Sequence, residues 1–223
     1  MCAAQPGSLA SRGVMSAMQN GVVAVYFDYL CPYAWRGAEV AELVADELGL
    51  RFDWRHFSLY QANYRGSKAW HVWNQKLDDG DETGCKGLLP FLASTASRKQ
   101  GREAFDRFRL ALLRARHRDR KPFSRELMLA CAEQARLHAA CFEQDLNDPE
   151  LRTVLAHEHC RAAREDVFGT PTFAFPGGHA AYFRLREVPP DRDEAVALFR
   201  GFHEMLTRYP YLETVRRPRA RLD

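Results

Sequence analysis

The 223-residue sequence predicts an α/β fold in which a four-stranded mixed sheet, in the order 2-1-3-4, carries a large all-helical insertion. Three observations predict it. A strand–helix–strand pattern occupies residues 21–57, helical periodicity runs over residues 84–167, and two short strands and a helix follow over residues 168–207. The most apolar strand is the first, and we place it at the centre of the sheet.

The opening unit predicts a parallel strand pair joined by a helix. GVVAVYFD (21–28) is a nearly continuous apolar run, typical of a strand buried on both faces. Pro32 suits the first turn of the following helix, and Gly49 is a natural stop after Leu48. Residues 51–57 alternate apolar and polar side chains, as an edge strand does. These lengths predict a right-handed βαβ crossover.

The remainder of the chain divides into an insertion and a second sheet-forming segment. We interpret residues 58–167 as a linker and a helical insertion that would lie beside the sheet as a lid. The runs TPTFAF (170–175) and AAYFRL (180–185), joined by PGGH, predict a β-hairpin, and an amphipathic helix follows. The sheet-forming domain is therefore expected to comprise residues 21–57 and 168–207.

The composition is that of an ordinary globular domain, with 46% hydrophobic residues, 27% charged residues and a net charge of +3. Residues 1–20 contain no sustained apolar run, and we expect a disordered extension rather than a secretory signal. Residues 208–223 form a basic tail, interpreted as a solvated end. No stretch is long and apolar enough to span a membrane. We expect a cytoplasmic protein without a membrane or nucleic-acid partner.

Cysteine chemistry concentrates at one position. The six cysteines lack paired or zinc-like spacing, so no metal site is predicted. Cys131 and Cys141 are typical of small buried thiols in a helical pattern. Cys31 instead follows the central strand and opens a helix, where unpaired N–H groups and the helix dipole favour an anion. We expect a thiolate of depressed pKa and enhanced nucleophilicity there. A thiol that only packs is the alternative.

A second motif, FGTPTF (168–173), places Pro171 at the beginning of the third strand. Proline is poorly tolerated inside a sheet, and a cis Thr170–Pro171 bond would explain its position. Such a loop would expose the backbone of Thr170 to an extended ligand through strand-like hydrogen bonds. An ordinary trans proline that opens a strand is the alternative.

Together these motifs make the sequence resemble the DsbA-like branch of the thioredoxin superfamily. That branch includes disulfide oxidoreductases, kappa-class glutathione transferases and 2-hydroxychromene-2-carboxylate isomerases. FDYLCPYAW is similar to the Asp-x-x-Ser-Pro-Tyr segment of the last two groups, with cysteine in place of serine. The resemblance implies a thioredoxin-like fold, Cys31 as the reactive residue and Thr170–Pro171 as the loop that grips a peptide or glutathione backbone. The active-site motif is formed by Cys31, Pro32, Tyr33 and Ala34.

Two departures from the family pattern narrow the mechanism. Ala34 stands where the oxidoreductases carry a second cysteine, so Cys31 cannot close a local disulfide. Monothiol chemistry remains, in which glutathione resolves a mixed disulfide, or Cys85 does so if the lid brings it close. The stretch AYFRLREVP (181–189) also lacks the Trp-Gly-x-Asp-Arg sequence expected of a glutathione-dependent isomerase.

Three further polar residues are candidates for the site around Cys31. Asp28 could orient the loop or modulate the thiol, although a strand-end aspartate that forms a turn is an equal alternative. Tyr33 could donate a hydrogen bond to a thiolate or a substrate oxygen. His71 is the best general acid–base candidate by residue type, and we group it with the substrate-binding or glutathione-binding residues.

Three functions fit these expectations. The leading one is a thiol–disulfide oxidoreductase that uses Cys31 alone, with glutathione as co-substrate and no bound cofactor. The second is a glutathione-dependent isomerase or transferase of a small aromatic substrate, in which Cys31 stabilises a bound thiolate. The third is a non-catalytic thioredoxin-like module that grips an extended peptide at Thr170–Pro171. The expected partner is a small thiol or disulfide, and a homodimer is possible.

Overall fold

The computed structural model describes residues 21–77 and 86–217. The predicted disordered extension (1–20), Cys85 and the end of the predicted basic tail (218–223) lie outside the described residues. The described part of the chain forms one sheet with helices packed around it.

Four strands form a mixed sheet in the order β2-β1-β3-β4, which confirms the predicted order. β1 (Val22–Phe27) runs parallel to β2 (Arg51–His56) and antiparallel to β3 (Thr172–Ala174), and β3 pairs antiparallel with β4 (Ala180–Tyr182). β1 is central and mostly buried, whereas β2 alternates buried with more exposed residues along one edge.

Eight α-helices complete the described fold. α1 connects β1 to β2, six helices and a 3₁₀ turn form the insertion, and the last helix follows β4. Their bounds are α1 (Pro32–Leu48), α2 (Leu59–Asn63), the 3₁₀ turn (Val72–Asn74), α3 (Leu88–Arg98), α4 (Arg102–His117), α5 (Arg125–Gln134), α6 (Ala139–Asp145), α7 (Glu150–Arg164) and α8 (Arg192–Arg208).

Local signals account for where α1 and α2 begin and end. Pro32 is the first residue of α1, and Gly49 ends the helix in the left-handed conformation with φ of 60°. The predicted linker contains α2 because Ser58 caps it, accepting a hydrogen bond from the Gln61 N–H at 3.1 Å. The chain after β2 is therefore more ordered than a plain linker.

The insertion covers the outer edge of β2. An open edge strand presents unpaired N–H and C=O groups, and here side chains of the insertion occupy them. Arg102 donates to the Phe52 carbonyl (2.8 Å), Arg98 donates to the Trp54 carbonyl (2.7 Å), and the Glu158 carboxylate accepts from the His56 N–H (3.1 Å). The helices thus supply hydrogen bonds that another strand would otherwise supply.

α1 and the loop before β3 meet at Gly37. A Cβ atom on this residue would lie 2.7 Å from Cγ and 3.3 Å from Cβ of Pro171, and 3.5 Å from the ring of Phe173. The first distance is shorter than any stable carbon–carbon contact, and the proline ring has no flexible end that could move aside. The close approach of α1 to this loop therefore requires glycine at position 37.

We expect Gly37→Ala to lower the free energy of unfolding by about 1–2 kcal/mol, because overpacking costs about 1–3 kcal/mol and the better helix propensity of alanine returns at most about 1 kcal/mol. Gly201 provides the matched control, since it lies in α8 with no atom near its Cβ position. Gly201→Ala should stabilise the protein by about 0.5–1 kcal/mol. Urea unfolding followed by circular dichroism measures both, and equal stabilisation by the two substitutions would show that the Gly37 contact is not tight.

Candidate active site

Cys31 lies at the junction between β1 and α1. It is the residue that precedes the first turn of the helix, and it is 5% exposed. Its N–H donates to the Asp28 carbonyl at 3.1 Å, and its own carbonyl accepts from the N–H groups of Ala34 and Trp35. The tight turn after β1 thus holds the sulfur at the amino end of a 17-residue helix.

The loop before β3 closes the site on the other side of the sulfur. The Thr170–Pro171 peptide bond is cis, and Sγ of Cys31 donates to the carbonyl oxygen of Thr170 at 3.2 Å. The Pro171 carbonyl accepts from the Phe183 N–H at 2.9 Å, which ties the loop to the chain after β4. The structure therefore brings together Cys31, Thr170 and Pro171, although 139 positions separate the first two in the sequence.

Burial raises the pKa of the Cys31 thiol above its ordinary value. Hydrogen bonding to Thr170 and to the N–H groups of Ala34 and Tyr33 lowers this pKa, and the nearby charge of Asp28 raises it. The prediction of a depressed thiol pKa is therefore wrong. The helix amino terminus is present as expected, but removal of the sulfur from water disfavours the thiolate more strongly than the N–H groups favour it.

Asp28 lies in the turn before Cys31 and is completely buried. Its carboxylate accepts from the N–H of Leu30 at 2.7 Å and from the N–H of Leu59 at 2.6 Å. Burial raises the pKa of Asp28 to about 6, and these two hydrogen bonds oppose that increase. The side chain thus links the turn after β1 to the beginning of α2, and it places a negative charge near the sulfur above about pH 6.

Tyr33 faces a cationic side chain that the sequence motifs do not reveal. The guanidinium of Arg184 lies 3.8 Å from the centre of the Tyr33 ring and donates to its hydroxyl. Arg184 also hydrogen-bonds to Tyr182. Burial raises the pKa of Tyr182, and the charge of Cys31 raises it further. Alternation along the predicted hairpin is the signal that places residues 182 and 184 on one side. The distance of residues 182 and 184 from Tyr33 depends on the register of the hairpin strands.

His71 directly precedes the 3₁₀ turn of the insertion. Its ring stacks on the ring of Trp73 with a centroid distance of 4.8 Å. Burial lowers the pKa of the nearby His159, and the charge of His71 lowers that pKa further. Within residues 21–77 and 86–217, His71 forms no hydrogen bond with Cys31 or Thr170. A role for this histidine as a general acid or base stays a prediction from residue type.

A buried polar network supports the turn that carries Cys31. The Tyr29 hydroxyl donates to Ser94 Oγ at 2.7 Å, Ser94 Oγ lies 2.8 Å from His56 Nε2, and His56 Nδ1 lies 2.7 Å from the Glu158 carboxylate. Burial lowers the pKa of His56, so its ring is neutral at pH 7. Ser94 and His56 have no exposed surface, and this serine–histidine–glutamate arrangement therefore anchors Tyr29 rather than meeting a substrate.

The other described cysteines lie on helices of the insertion. Cys131 in α5 is buried as predicted, whereas Cys141 in α6 is exposed, which contradicts the prediction of a buried thiol. Cys160 in α7 is also exposed, and none of these residues forms a disulfide with Cys31.

The described residues contain no group of three or more histidine, cysteine or carboxylate side chains that could hold a metal ion. No helix in the described residues is long and apolar enough to cross a membrane.

Comparison with known families identifies the segment that carries this site. Residues 22–78, which contain β1, Cys31, α1 and β2, match the family model of the DSBA-like thioredoxin domain. The segment that carries Cys31 is thus similar to DsbA-like thioredoxin domains. The predicted resemblance is thereby confirmed, and helices α3–α7 of the insertion and the β3–β4 hairpin lie beyond the matched segment.

Solved structures share the fold of this chain. A 2-hydroxychromene-2-carboxylate isomerase superposes with a TM-score of 0.58 and 16% identity, covering 86% of this chain and 100% of the other. The cytosolic disulfide reductase DsbM from Pseudomonas aeruginosa, solved with GSH, superposes with a TM-score of 0.53 and 16% identity, covering 84% and 99%. At these identities the likeness establishes the fold.

Two curated relatives are similar in sequence. An uncharacterised protein of Mycobacterium tuberculosis is 25% identical over 202 residues, which span 90% of this chain and 84% of that protein. The ClpXP adapter protein SpxH of Halalkalibacterium halodurans is 25% identical over 176 residues, which span 69% of this chain and 58% of that protein. Proteins that are similar to this chain in fold or in sequence thus have redox, isomerase and adapter names.

Asp28→Asn should accelerate alkylation of Cys31 by iodoacetamide. Above about pH 6 the Asp28 carboxylate is charged and raises the pKa of the thiol, so its removal increases the thiolate fraction. Below that pH the native carboxyl is protonated, and the two proteins should react at similar rates. Peptide mass mapping of Cys31 as a function of pH measures the effect.

Asp53→Asn is the control for this prediction, because Asp53 is a partly exposed aspartate of β2 that pairs with Arg55 at 2.8 Å. It should leave the alkylation rate unchanged. If Asp28→Asn slowed alkylation while thermal unfolding showed an intact fold, the carboxylate would promote the thiolate rather than oppose it.

Proposed function

We propose that this DsbA-like protein is a thiol–disulfide oxidoreductase that works through Cys31 as its single active-site thiol, with glutathione or a similar small thiol as co-substrate. The observation that carries the proposal is the position of the sulfur. It lies at the amino end of α1 and 3.2 Å from the Thr170 carbonyl, and Ala34 occupies the place of a second cysteine. The proposal names no bound cofactor.

The reaction begins when the Cys31 thiolate attacks one sulfur of a substrate disulfide. The substrate S–S bond breaks, its leaving sulfur departs as a thiolate that takes up a proton, and Cys31 is left in a mixed disulfide. A small thiolate then attacks the substrate sulfur of this mixed disulfide. Cys31 departs as a thiolate, and the substrate is released as a disulfide with the small thiol. Each exchange conserves the number of disulfides, so no further oxidant is required.

The Thr170 carbonyl links deprotonation of Cys31 to substrate binding in this mechanism. In the resting site the thiol S–H occupies that carbonyl. Loss of the proton frees the oxygen to accept an N–H from an extended peptide or from glutathione, in the manner of strand addition. The same step that creates the nucleophile therefore creates an acceptor for the substrate backbone.

We expect oxidised glutathione to add one glutathionyl group to the wild-type chain at Cys31, with a rate that rises from about pH 6 to about pH 9 as the thiol ionises. The raised thiol pKa is the reason that the rate should not level off at low pH. Intact-protein mass spectrometry measures the addition. Cys31→Ser should abolish it at this position.

Cys160→Ser is the matched control, because Cys160 is a free and exposed thiol of α7. Its substitution should remove only background addition. A Cys31→Ser protein that gained glutathionyl groups as fast as the wild type would refute the proposed role of Cys31.

A peptide-binding module is the second candidate, and the burial of the sulfur favours it. Cys31 is 5% exposed and its thiol pKa is raised, both of which suit a structural thiol, and the similar SpxH protein is named as an adapter. If native Cys31 reacted with neither iodoacetamide nor oxidised glutathione across the same pH range, while the unfolded chain reacted readily, this candidate would replace the redox proposal.

A glutathione-dependent isomerase or transferase activity is the third candidate function. The isomerase shares the fold, but in the described residues no hydrogen bond joins His71, the histidine considered for proton transfer, to Cys31. Calorimetric titration of the Cys31→Ser protein with glutathione tests it. Glutathione binding that survives this substitution would favour a non-covalent role for position 31, and absence of binding to the wild type would exclude it.

A further inference from the structure

Two arginines beside Tyr33 have no carboxylate partner among residues 21–77 and 86–217. The guanidinium of Arg184 lies 3.8 Å from the ring centre and that of Arg36 lies 5.3 Å from it. Their hydrogen bonds go to neutral oxygens, from Arg184 to the Tyr33 hydroxyl and from Arg36 to the Leu185 carbonyl at 3.1 Å. In the part of the chain that the structure describes, neither arginine lies within ion-pair distance of an acidic side chain.

Other arginines near α1 behave differently. Arg114 forms an ion pair with Glu39 at 2.6 Å, and Arg109 forms one with Glu42 at 3.3 Å, so these two acidic side chains of α1 are paired with arginines of the insertion. The charge beside Tyr33 is therefore a local excess rather than a general property of the helix. An excess of this kind attracts anions.

This excess lies next to the reactive sulfur. Tyr33 follows Cys31 by two residues, and the Phe183 N–H that precedes Arg184 bonds to the Pro171 carbonyl at 2.9 Å. The charges of Cys31 and Arg184 both act on the pKa of Tyr182, so both groups lie near this tyrosine. Arg184 is exposed, so a dissolved ligand can reach its guanidinium while a sulfur of the same ligand approaches Cys31.

We propose that Arg184, assisted by Arg36, is a carboxylate-binding subsite that selects anionic disulfides and thiols as substrates of Cys31. A guanidinium binds a carboxylate through two parallel N–H···O bonds, and these are stronger than its bond to a neutral phenol. A carboxylate can thus displace the Tyr33 hydroxyl from Arg184. This inference rests on the proposed redox function and adds the substrate class to it.

The test compares three small disulfides of different charge: dithiodipropionate, a dianion; hydroxyethyl disulfide, which is neutral; and cystamine, a dication. The rate of mixed-disulfide formation at Cys31 is measured for each by intact mass. The wild type should react fastest with the dianion. Arg184→Gln should slow the dianion by about tenfold and change the neutral disulfide by less than about twofold, since one charge-assisted bidentate contact is lost.

Two further variants separate charge from geometry. Arg184→Lys keeps the positive charge but not the planar fork, and it should give an intermediate rate with the dianion. Arg164→Gln removes an exposed charge from the last residue of α7, which forms no hydrogen bond or ring contact with Tyr33, Arg36 or Arg184 in the described residues, and should leave all three rates unchanged. A dianion-to-neutral rate ratio that is equal in the wild type and Arg184→Gln would overturn the subsite.

A non-reactive ligand separates failure of the subsite from failure of the redox function. Thiodipropionate is a dianionic thioether that cannot form a disulfide, and calorimetric titration of the full chain measures its binding. Binding that Arg184→Gln abolishes and Arg164→Gln retains would support the subsite even if Cys31 reacted with no disulfide. Equal affinity or equal absence of binding in the wild type and Arg184→Gln would overturn it, even if the redox activity were present.

Discussion

The contact between the amino end of α1 and the loop before β3 is the constraint on which the site depends. Because β1 and β3 are antiparallel neighbours, the end of β1 and the start of β3 lie at the same edge of the sheet. Cys31 and Thr170 therefore meet there, and the insertion between β2 and β3 can vary without separating them. Gly37 sets how close the two segments come, since only a residue without a side chain lets α1 reach Pro171.

Charge around the sulfur divides into two zones. Beneath it, the buried Asp28 carboxylate and the loss of water raise the pKa of the thiol. Beside it, Arg36 and Arg184 place positive charge at the surface without acidic partners in the described chain. The first zone keeps the resting thiol protonated and bonded to Thr170. The positive charge of the second zone attracts anions to the surface beside the sulfur.

The parts of the fold that the sequence predicts are those with local signals. The apolar run of β1, Pro32 at the beginning of α1, Gly49 at its end and the Pro-Gly-Gly turn each act within a few residues, and the strand order follows from them. The pairing of Cys31 with Pro171 is predicted as well, because the motifs end and begin neighbouring strands.

Features that depend on distant packing are not predictable in this way. The pKa of Cys31 depends on how completely other segments exclude water from the sulfur, which no local motif encodes. Cys141 lies in α6, a helix of seven residues, too short for periodicity to specify a buried face. The position of His71 depends on how the segment after α2 packs against α7, and the role of Arg184 depends on hairpin register.

We propose that no other cysteine of this chain resolves the mixed disulfide of Cys31, and the lifetime of that mixed disulfide tests the proposal. The glutathionylated wild-type protein is freed of excess glutathione and followed by intact and peptide mass spectrometry without added thiol. We expect the glutathionyl group to remain on Cys31 until external thiol is supplied. Spontaneous release of glutathione, with formation of an internal disulfide between Cys31 and another cysteine such as Cys85, would contradict it.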